Sequence, residues 1–84
     1  MNKRECLERI FRNQQNIHYN DLVGLIESMG FVLKRRKGSH HIYQHPKVSE
    51  LLNLQDHKGK AKPYQIRQFL KLVEKYDLQM EEDQ

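Results

Sequence analysis

The stretch from Phe31 to Pro46 constrains the fold of this 84-residue chain most strongly. Gly38-Ser39 is a Gly-X pair of the kind that closes a two-residue hairpin turn, and extended runs lie on either side of it, at 31–37 and 40–45. Pro46 ends the second run, because proline has no amide hydrogen to give to a strand ladder. The sequence therefore predicts a β-hairpin that turns at Gly38-Ser39.

Side-chain alternation predicts two faces for each strand of this hairpin. The first run alternates only partly, and its faces would hold Phe31, Leu33 and Arg35 on one side and Val32, Lys34 and Arg36 on the other. The second run would place His40, Ile42 and Gln44 on one side and His41, Tyr43 and His45 on the other. Each face of the second run holds one apolar residue, so the pattern leaves open which face is buried. We expect the far end of the first strand to be solvated.

Three segments show helical spacing of apolar residues. The first is 3–15, and the second is 21–29, with Asn20 as its N-cap and Gly30 as its left-handed end. Pro63 suits the first position of a third helix. That helix carries the strongest apolar stripe in the chain, formed by Ile66, Phe69, Leu70, Val73 and Tyr76.

The remaining segments complete a single small α+β domain. Residues 50–55 suit a strand or a helical turn, and their place after the hairpin favours a third antiparallel strand. Residues 56–62 form a basic loop, and 79–84 form a polar, acidic tail that we expect to be frayed. The sequence predicts a three-stranded antiparallel sheet with helices packed on one face, which leaves the other face for a ligand.

Positive charge is concentrated in the middle of the chain. Residues 31–71 carry ten cations and two anions, whereas 1–30 are neutral and 72–84 have a net charge of −4. This distribution suits a polyanion such as nucleic acid, although a charged run can also be a solvated surface. The chain shows no signal peptide and no apolar run of membrane-spanning length, so we expect a cytoplasmic protein without a membrane partner.

The single cysteine and the histidines limit the chemistry. Cys6 is alone, which excludes an intramolecular disulfide and a cysteine-rich zinc site, and its place on an apolar stripe predicts a core residue. The histidines in 40–45 do not converge at their spacings, and the surrounding cations would repel a metal ion. We therefore predict no metal site and no cofactor.

His40 lies just past the turn and beside the cations of 34–37, where a histidine can act on a phosphodiester. Lysine and arginine side chains can hold the phosphate and stabilise developing charge. His57 suits a phosphate contact or a second proton carrier, whereas His41 is expected to pack or to bond locally. His18 is expected to be structural, and His45 can simply end its strand.

Two blocks of this sequence resemble the HicA toxins of HicAB toxin–antitoxin systems. The first is Gly38-Ser39-His40-His41-Ile42-Tyr43-Gln44-His45-Pro46 after a Gly-Phe-Val-Leu lead at 30–33, and the second is Asp56-His57-Lys58-Gly59-Lys60 before an apolar helix. The resemblance covers about residues 20–78 and implies a fold like a double-stranded RNA-binding domain. It also implies an mRNA-cleaving ribonuclease, or mRNA interferase, that a HicB-type antitoxin neutralises. The histidine directly after Gly-Ser, His40, would be catalytic.

The chain departs from the family pattern at two places. Residues 1–18 form an extra N-terminal helical segment beside the HicA-like domain at 19–78, and Pro63-Tyr64-Gln65 stands where many members have a Gly-Thr pair. The first departure leaves two roles open for the added helix, which can complete the core or bind the antitoxin. The second departure affects the expected position of the last helix and does not affect the assignment of His40.

These observations define one candidate site and three candidate functions. His40 is the candidate catalytic residue, and the candidate RNA-binding residues are Arg36, Lys37, Gly38, Ser39, His57, Lys58 and Lys60. The first function is an RNA-cleaving toxin. The alternatives are a non-catalytic RNA- or DNA-binding module and a protein-interaction domain that meets an acidic partner.

Overall fold

The computed structural model describes residues 2–81 of the chain. Three helices and three strands follow in the predicted order: α1 Lys3–Arg12, α2 Tyr19–Ser28, β1 Val32–Lys37, β2 His40–His45, β3 Val48–Gln55 and α3 Pro63–Tyr76. The strands form one antiparallel sheet in the order β1-β2-β3. The predicted α+β class and the resemblance to a double-stranded RNA-binding domain are confirmed, and 50–55 belongs to a strand.

The helices cover one face of the sheet, and β2 shows which one. Tyr43 is only 3% exposed and pairs with Leu33 of β1 and Leu52 of β3, so this side of β2 contributes to the core. His40 and Gln44, on the other side, are exposed. We call this second side the open face.

The predicted boundaries of the first two helices are wrong, and a tertiary contact accompanies the earlier start of α2. α1 stops at Arg12 rather than at 15, where Asn13 adopts an extended conformation. α2 begins at Tyr19 with His18 as its N-cap, so Asn20 lies inside the helix. The amide of Tyr19 donates to the carbonyl of Gly59, which starts the helix earlier than the local sequence suggests.

The predicted helix-ending glycine and helix-starting proline are confirmed. Gly30 has a φ of +99°, and the following amide of Phe31 donates to the carbonyl of Ile26 at 3.1 Å. This pairing closes α2 in the manner of a Schellman motif. Pro63 is the first residue of α3, and the predicted stripe of α3 packs into the core.

The segment after α3 differs from the predicted frayed tail. Leu78 is buried, Met80 packs against the core, and the amide of Glu81 donates to the carbonyl of Ser28 at 2.7 Å. Residues 79–81 are therefore held by the domain. The rest of the predicted tail, 82–84, lies outside the described residues.

The added helix α1 packs on α2 and completes the core. Cys6 and Ile10 are both almost fully buried, which confirms that Cys6 is a core residue. Phe11, one position further, is 48% exposed. Among residues 2–81, no helix combines the length and the apolar character needed to span a membrane.

Candidate active site

The hairpin turn places His40 at the start of β2. Lys37 and His40 pair across the turn, so the loop consists only of Gly38 and Ser39, as predicted. Gly38 has a φ of +59°, while Ser39 does not enter the left-handed region, which is the pattern of a type II′ turn. The carbonyl of Ser39 accepts a hydrogen bond from the amide of Asp56 at 3.1 Å. The turn is therefore attached to the chain just beyond β3.

His40 lies on the open face between two polar neighbours. Its cross-strand partners are Lys37 in β1 and Gln55 in β3, and the side chains of such partners point to the same side of a sheet. The amide nitrogen of the Gln55 side chain lies 3.4 Å from the Ser39 hydroxyl. His40 itself is exposed. The arrangement leaves an imidazole accessible to a ligand, with an ammonium group on the neighbouring strand.

A bulge in β1 changes which arginine faces the ligand side. The pairing advances from Leu33–Tyr43 to Arg35–Ile42, so Lys34 is an extra residue in the strand. Past the bulge, Arg35 shares the open face with Ile42, and Arg36 pairs with His41 on the helix side. The predicted faces of 31–37 are therefore wrong beyond Leu33. The four consecutive cations at 34–37 carry no alternation from which a bulge could be predicted.

His41 lies behind the open face and bonds locally, as predicted. Its Nδ1 atom is hydrogen-bonded to the hydroxyl of Tyr19, whose side chain is 3% exposed. Burial raises the pKa of Tyr19, and burial followed by the nearby charge of Arg36 lowers the pKa of His41. Both shifts favour a pair in which the hydroxyl and the imidazole are neutral. His41 therefore supports the hairpin from the helix side.

The basic loop folds as a tight turn next to the hairpin tip. The backbones of His57 and Lys60 exchange two hydrogen bonds, of 3.0 and 2.9 Å, around Lys58 and Gly59. Lys58 and Gly59 both have positive φ angles, +53° and +82°, as in a type I′ turn. The carboxylate of Asp56 accepts from the amide of Gly59 at 2.7 Å. His57 and Lys58 are exposed at this turn.

Lys60 of the basic loop is bonded to another segment of the protein. Its ammonium donates to the side-chain oxygen of Asn16 at 2.6 Å, and its backbone bridges to His18. Lys60 connects the loop to the segment before α2.

Gln65 supports the end of β3 from α3. It is a buried polar residue, and its side-chain oxygen accepts from the amide of Gln55 at 2.9 Å. Gln55 is the partner of His40, so this bond stabilises the strand beside the candidate catalytic residue. Gln65 belongs to the Pro63-Tyr64-Gln65 departure, which therefore has a definite positioning role.

The other histidines have structural contacts. The Nε2 atom of His45 lies 3.0 Å from the carbonyl oxygen of Met29, and its Nδ1 atom accepts from the amide of Lys47 at 3.0 Å. His45 thus connects β2 to the end of α2. His18 occupies the N-cap position of that helix through its backbone, and its side chain makes no capping hydrogen bond. Across residues 2–81, no three or more His, Cys, Asp or Glu side chains form a group suited to a metal ion.

A known protein family matches the part of the chain that contains this site. The family model described as HicA toxin of bacterial toxin-antitoxin matches residues 19–74, which are 56 of the 84 residues. The chain belongs to the HicA toxin family. It is therefore the toxin component of a bacterial toxin–antitoxin system. No significant match to a curated protein or to a solved structure was found.

The HicA fold brings some predicted site residues together and separates others. Lys37, Gly38, Ser39 and His40 meet at the hairpin tip, and the turn with His57 and Lys58 is tied to that tip through Asp56. Arg36 faces the helix side, and Lys60 bonds to the segment before α2. Arg35, Asn53 and Gln55 were not among the predicted site residues, yet they share the open face with His40 and Ile42. Strand alternation in β3 is the signal that would have pointed to Asn53 and Gln55.

Proposed function

We propose that this HicA chain is an endoribonuclease of the mRNA interferase class that cleaves RNA on the open face at His40. The observation that carries the proposal is the position of His40, exposed on a sheet face between Lys37 and Gln55. In this assignment the ribonuclease domain is 19–78, and α1 is an added support.

The proposed reaction uses the RNA itself as the nucleophile. The 2′-oxygen forms a bond to the adjacent phosphorus while the bond from phosphorus to the 5′-oxygen breaks. His40 exchanges a proton with one of these oxygens, taking it from the 2′-hydroxyl as a base or giving it to the leaving 5′-oxygen as an acid. His57 or water exchanges the other proton. The products are a 2′,3′-cyclic phosphate and a 5′-hydroxyl, and no metal ion is required.

The cations around His40 supply the charge that this reaction needs. A phosphorane-like transition state carries extra negative charge on its oxygens, and fixed positive groups stabilise it. Lys37 lies directly across from His40, Arg35 lies one pair further along the open face, and Lys58 lies on the turn attached to the tip. The backbone at Gly38 and the hydroxyl of Ser39 complete the candidate phosphate contacts. Arg36 and Lys60 are expected to contribute less.

We propose that a HicB-type antitoxin inhibits the chain by covering the open face. Ile42 is half-buried on this face, and Val32 and Leu51 are exposed apolar residues, 58% and 45% accessible. Apolar groups surrounded by Arg35 and Lys37 suit a partner that combines apolar anchors with acidic side chains. Such a partner would exclude RNA from His40.

Substitution of His40 tests the catalytic assignment. We expect His40→Ala to abolish cleavage of a single-stranded RNA while circular dichroism and thermal unfolding stay as in the unmodified chain. Gln44→Ala is the matched control, because Gln44 is exposed on the same face of the same strand. It should cleave at close to the normal rate.

The same experiment separates the candidate functions. Cleavage by His40→Ala at the normal rate would contradict the assignment of His40. RNA binding without cleavage by the unmodified chain would favour a non-catalytic binding module. If the unmodified chain neither binds nor cleaves RNA over a range of salt concentrations, the result would favour a protein-interaction domain.

A further inference from the structure

The segment that joins α1 to α2 contacts the basic turn at several points. We name residues 13–18 the linker and residues 57–60 the basic turn. The carbonyl of Ile17 accepts from the amide of Ala61 at 2.9 Å, and the side-chain oxygen of Asn16 accepts from the ammonium of Lys60 at 2.6 Å. His18 bridges to Lys60 through the backbone. The linker therefore lies alongside the basic turn as a short irregular strand.

Both sides of this contact contain residues in the left-handed conformation. Asn16 has a φ of +57°, and Lys58 has a φ of +53°. The left-handed region is accessible to asparagine but unfavourable for lysine, so surrounding contacts must maintain the conformation of Lys58. Two hydrogen bonds supply such contacts. The amide of Gly59 donates to the carboxylate of Asp56, and the ammonium of Lys60 donates to the side-chain oxygen of Asn16.

The basic turn is also attached to the hairpin tip. The amide of Asp56 donates to the carbonyl of Ser39, the residue directly before His40. A continuous set of hydrogen bonds therefore leads from Asn16, through Lys60 and the turn, to the tip. The linker lies outside residues 19–74, so one side of this connection comes from the part of the chain that the family model does not match.

We propose that the linker positions the basic turn for substrate, and that Asn16 is its main positioning residue. Held in this way, Lys58 and His57 meet a backbone phosphate of RNA at a constant distance from His40. This inference rests on the proposed ribonuclease function and makes the phosphate contact of Lys58 depend on the added N-terminal segment. It also assigns Lys60 to tethering the turn.

Three substitutions of Asn16 separate its side-chain contact from its backbone conformation. Asn16→Asp keeps an oxygen acceptor for Lys60 and tolerates the left-handed conformation. Asn16→Gly keeps only the conformation, and Asn16→Ala keeps neither. Asn20→Ala is the matched control, because Asn20 is an exposed asparagine within α2. We expect the defects to rank Ala, then Gly, then Asp, with Asn20→Ala equal to the unmodified chain.

Two measurements test the proposal. The first is hydrogen exchange of the amides of His57 and Lys60, which should accelerate in Asn16→Ala while core amides of β2 keep their protection. The second is steady-state cleavage of RNA, in which the KM of Asn16→Ala should rise about fivefold with kcat changed by less than about twofold, the size expected for losing one solvent-accessible hydrogen bond of ordinary net strength. Asn16→Asp should restore both values.

Each contrary result has a separate meaning. Unchanged exchange in Asn16→Ala would overturn the tethering role, whatever the RNA measurements show. Faster exchange with an unchanged KM would overturn the substrate-positioning role and leave the ribonuclease assignment intact. Failure of the unmodified chain to cleave RNA would overturn the proposed function itself.

Discussion

Lys34 shows how one residue can decide what a protein surface presents to its ligand. As the bulged residue of β1, it shifts the alternation of the strand by one position. Arg35 therefore joins His40 on the open face, and Arg36 lies with His41 on the helix side, where it lowers the pKa of that histidine together with burial. Adjacent arginines of equal charge thus have different environments.

These two arginines provide a matched pair for testing RNA binding. We expect Arg35→Gln to weaken RNA affinity and to reduce the slope of log affinity against log salt by about 0.7, the value for one phosphate contact on a single strand. Arg36→Gln should leave the slope nearly unchanged. Affinity can be measured by fluorescence anisotropy in the His40→Ala background, which prevents cleavage. Equal effects of the two substitutions would contradict the assignment of faces.

At the scale of elements, a cluster of hydrogen bonds around Glu50 holds α3 against β3. Its carboxylate accepts from Lys75 at 2.8 Å, from the hydroxyl of Tyr76 at 2.5 Å and from Ser49 at 3.0 Å. The hydrogen bonds from Lys75 and then Tyr76 lower the pKa of Glu50 to about 2. The cluster connects the end of α3 to the first half of β3, while Gln65 connects the beginning of α3 to the end of the same strand.

The lowered pKa predicts an acid-dependent loss of stability. A carboxylate whose folded-state pKa is depressed stabilises the fold fully above its unfolded value, near 4.5, and this contribution disappears as the pH falls towards 2. We expect Glu50→Gln to lower the Tm at neutral pH and to have almost no effect at pH 2. The effect at neutral pH should be modest, because the Glu50–Lys75 ion pair is solvent-accessible. Glu74→Gln, on the exposed side of α3, is the control. A Tm difference for Glu50→Gln that does not change with pH would contradict this explanation.

At the scale of the whole molecule, all three helices lie on one side of the sheet. The described residues supply no segment that covers the open face, so His40 and its neighbouring cations are accessible. Membership of a toxin–antitoxin family implies an antitoxin partner, and the open face is available for such a partner. The added helix α1 supports the core through Ile10 and presents Phe11 outward.

The antitoxin proposal can be tested with the product of the adjacent reading frame. We expect it to form a complex that no longer cleaves RNA, with hydrogen-exchange protection across the open face. A complex that cleaves at the full rate would show that inhibition by occlusion is wrong. Phe11→Ala tests whether α1, which completes the core, also binds the antitoxin. Lower antitoxin affinity at unchanged Tm would support an interface role, and unchanged affinity would contradict it.

Short-range rules were sufficient for much of this fold. Gly38-Ser39, Gly30 and Pro63 specify the hairpin turn, the end of α2 and the start of α3, because each acts through its own backbone conformation. The stripe of α3 also needs only helical periodicity. The position of His40 at the hairpin tip follows from these local rules, which is why the candidate catalytic residue was visible in the sequence.

The remaining features of the fold and of the candidate site depended on contacts between segments that are distant in sequence. The bond from Tyr19 to Gly59 sets the start of α2, the packing of Tyr43 decides which face of β2 is buried, and the ammonium of Lys60 is oriented by Asn16. The bulge at Lys34 moves Arg35 to the open face without any local signal. Local sequence therefore determined the elements and the place of His40. Only the tertiary structure decided which cations accompany it, since side-chain direction in a strand depends on pairing with its neighbours.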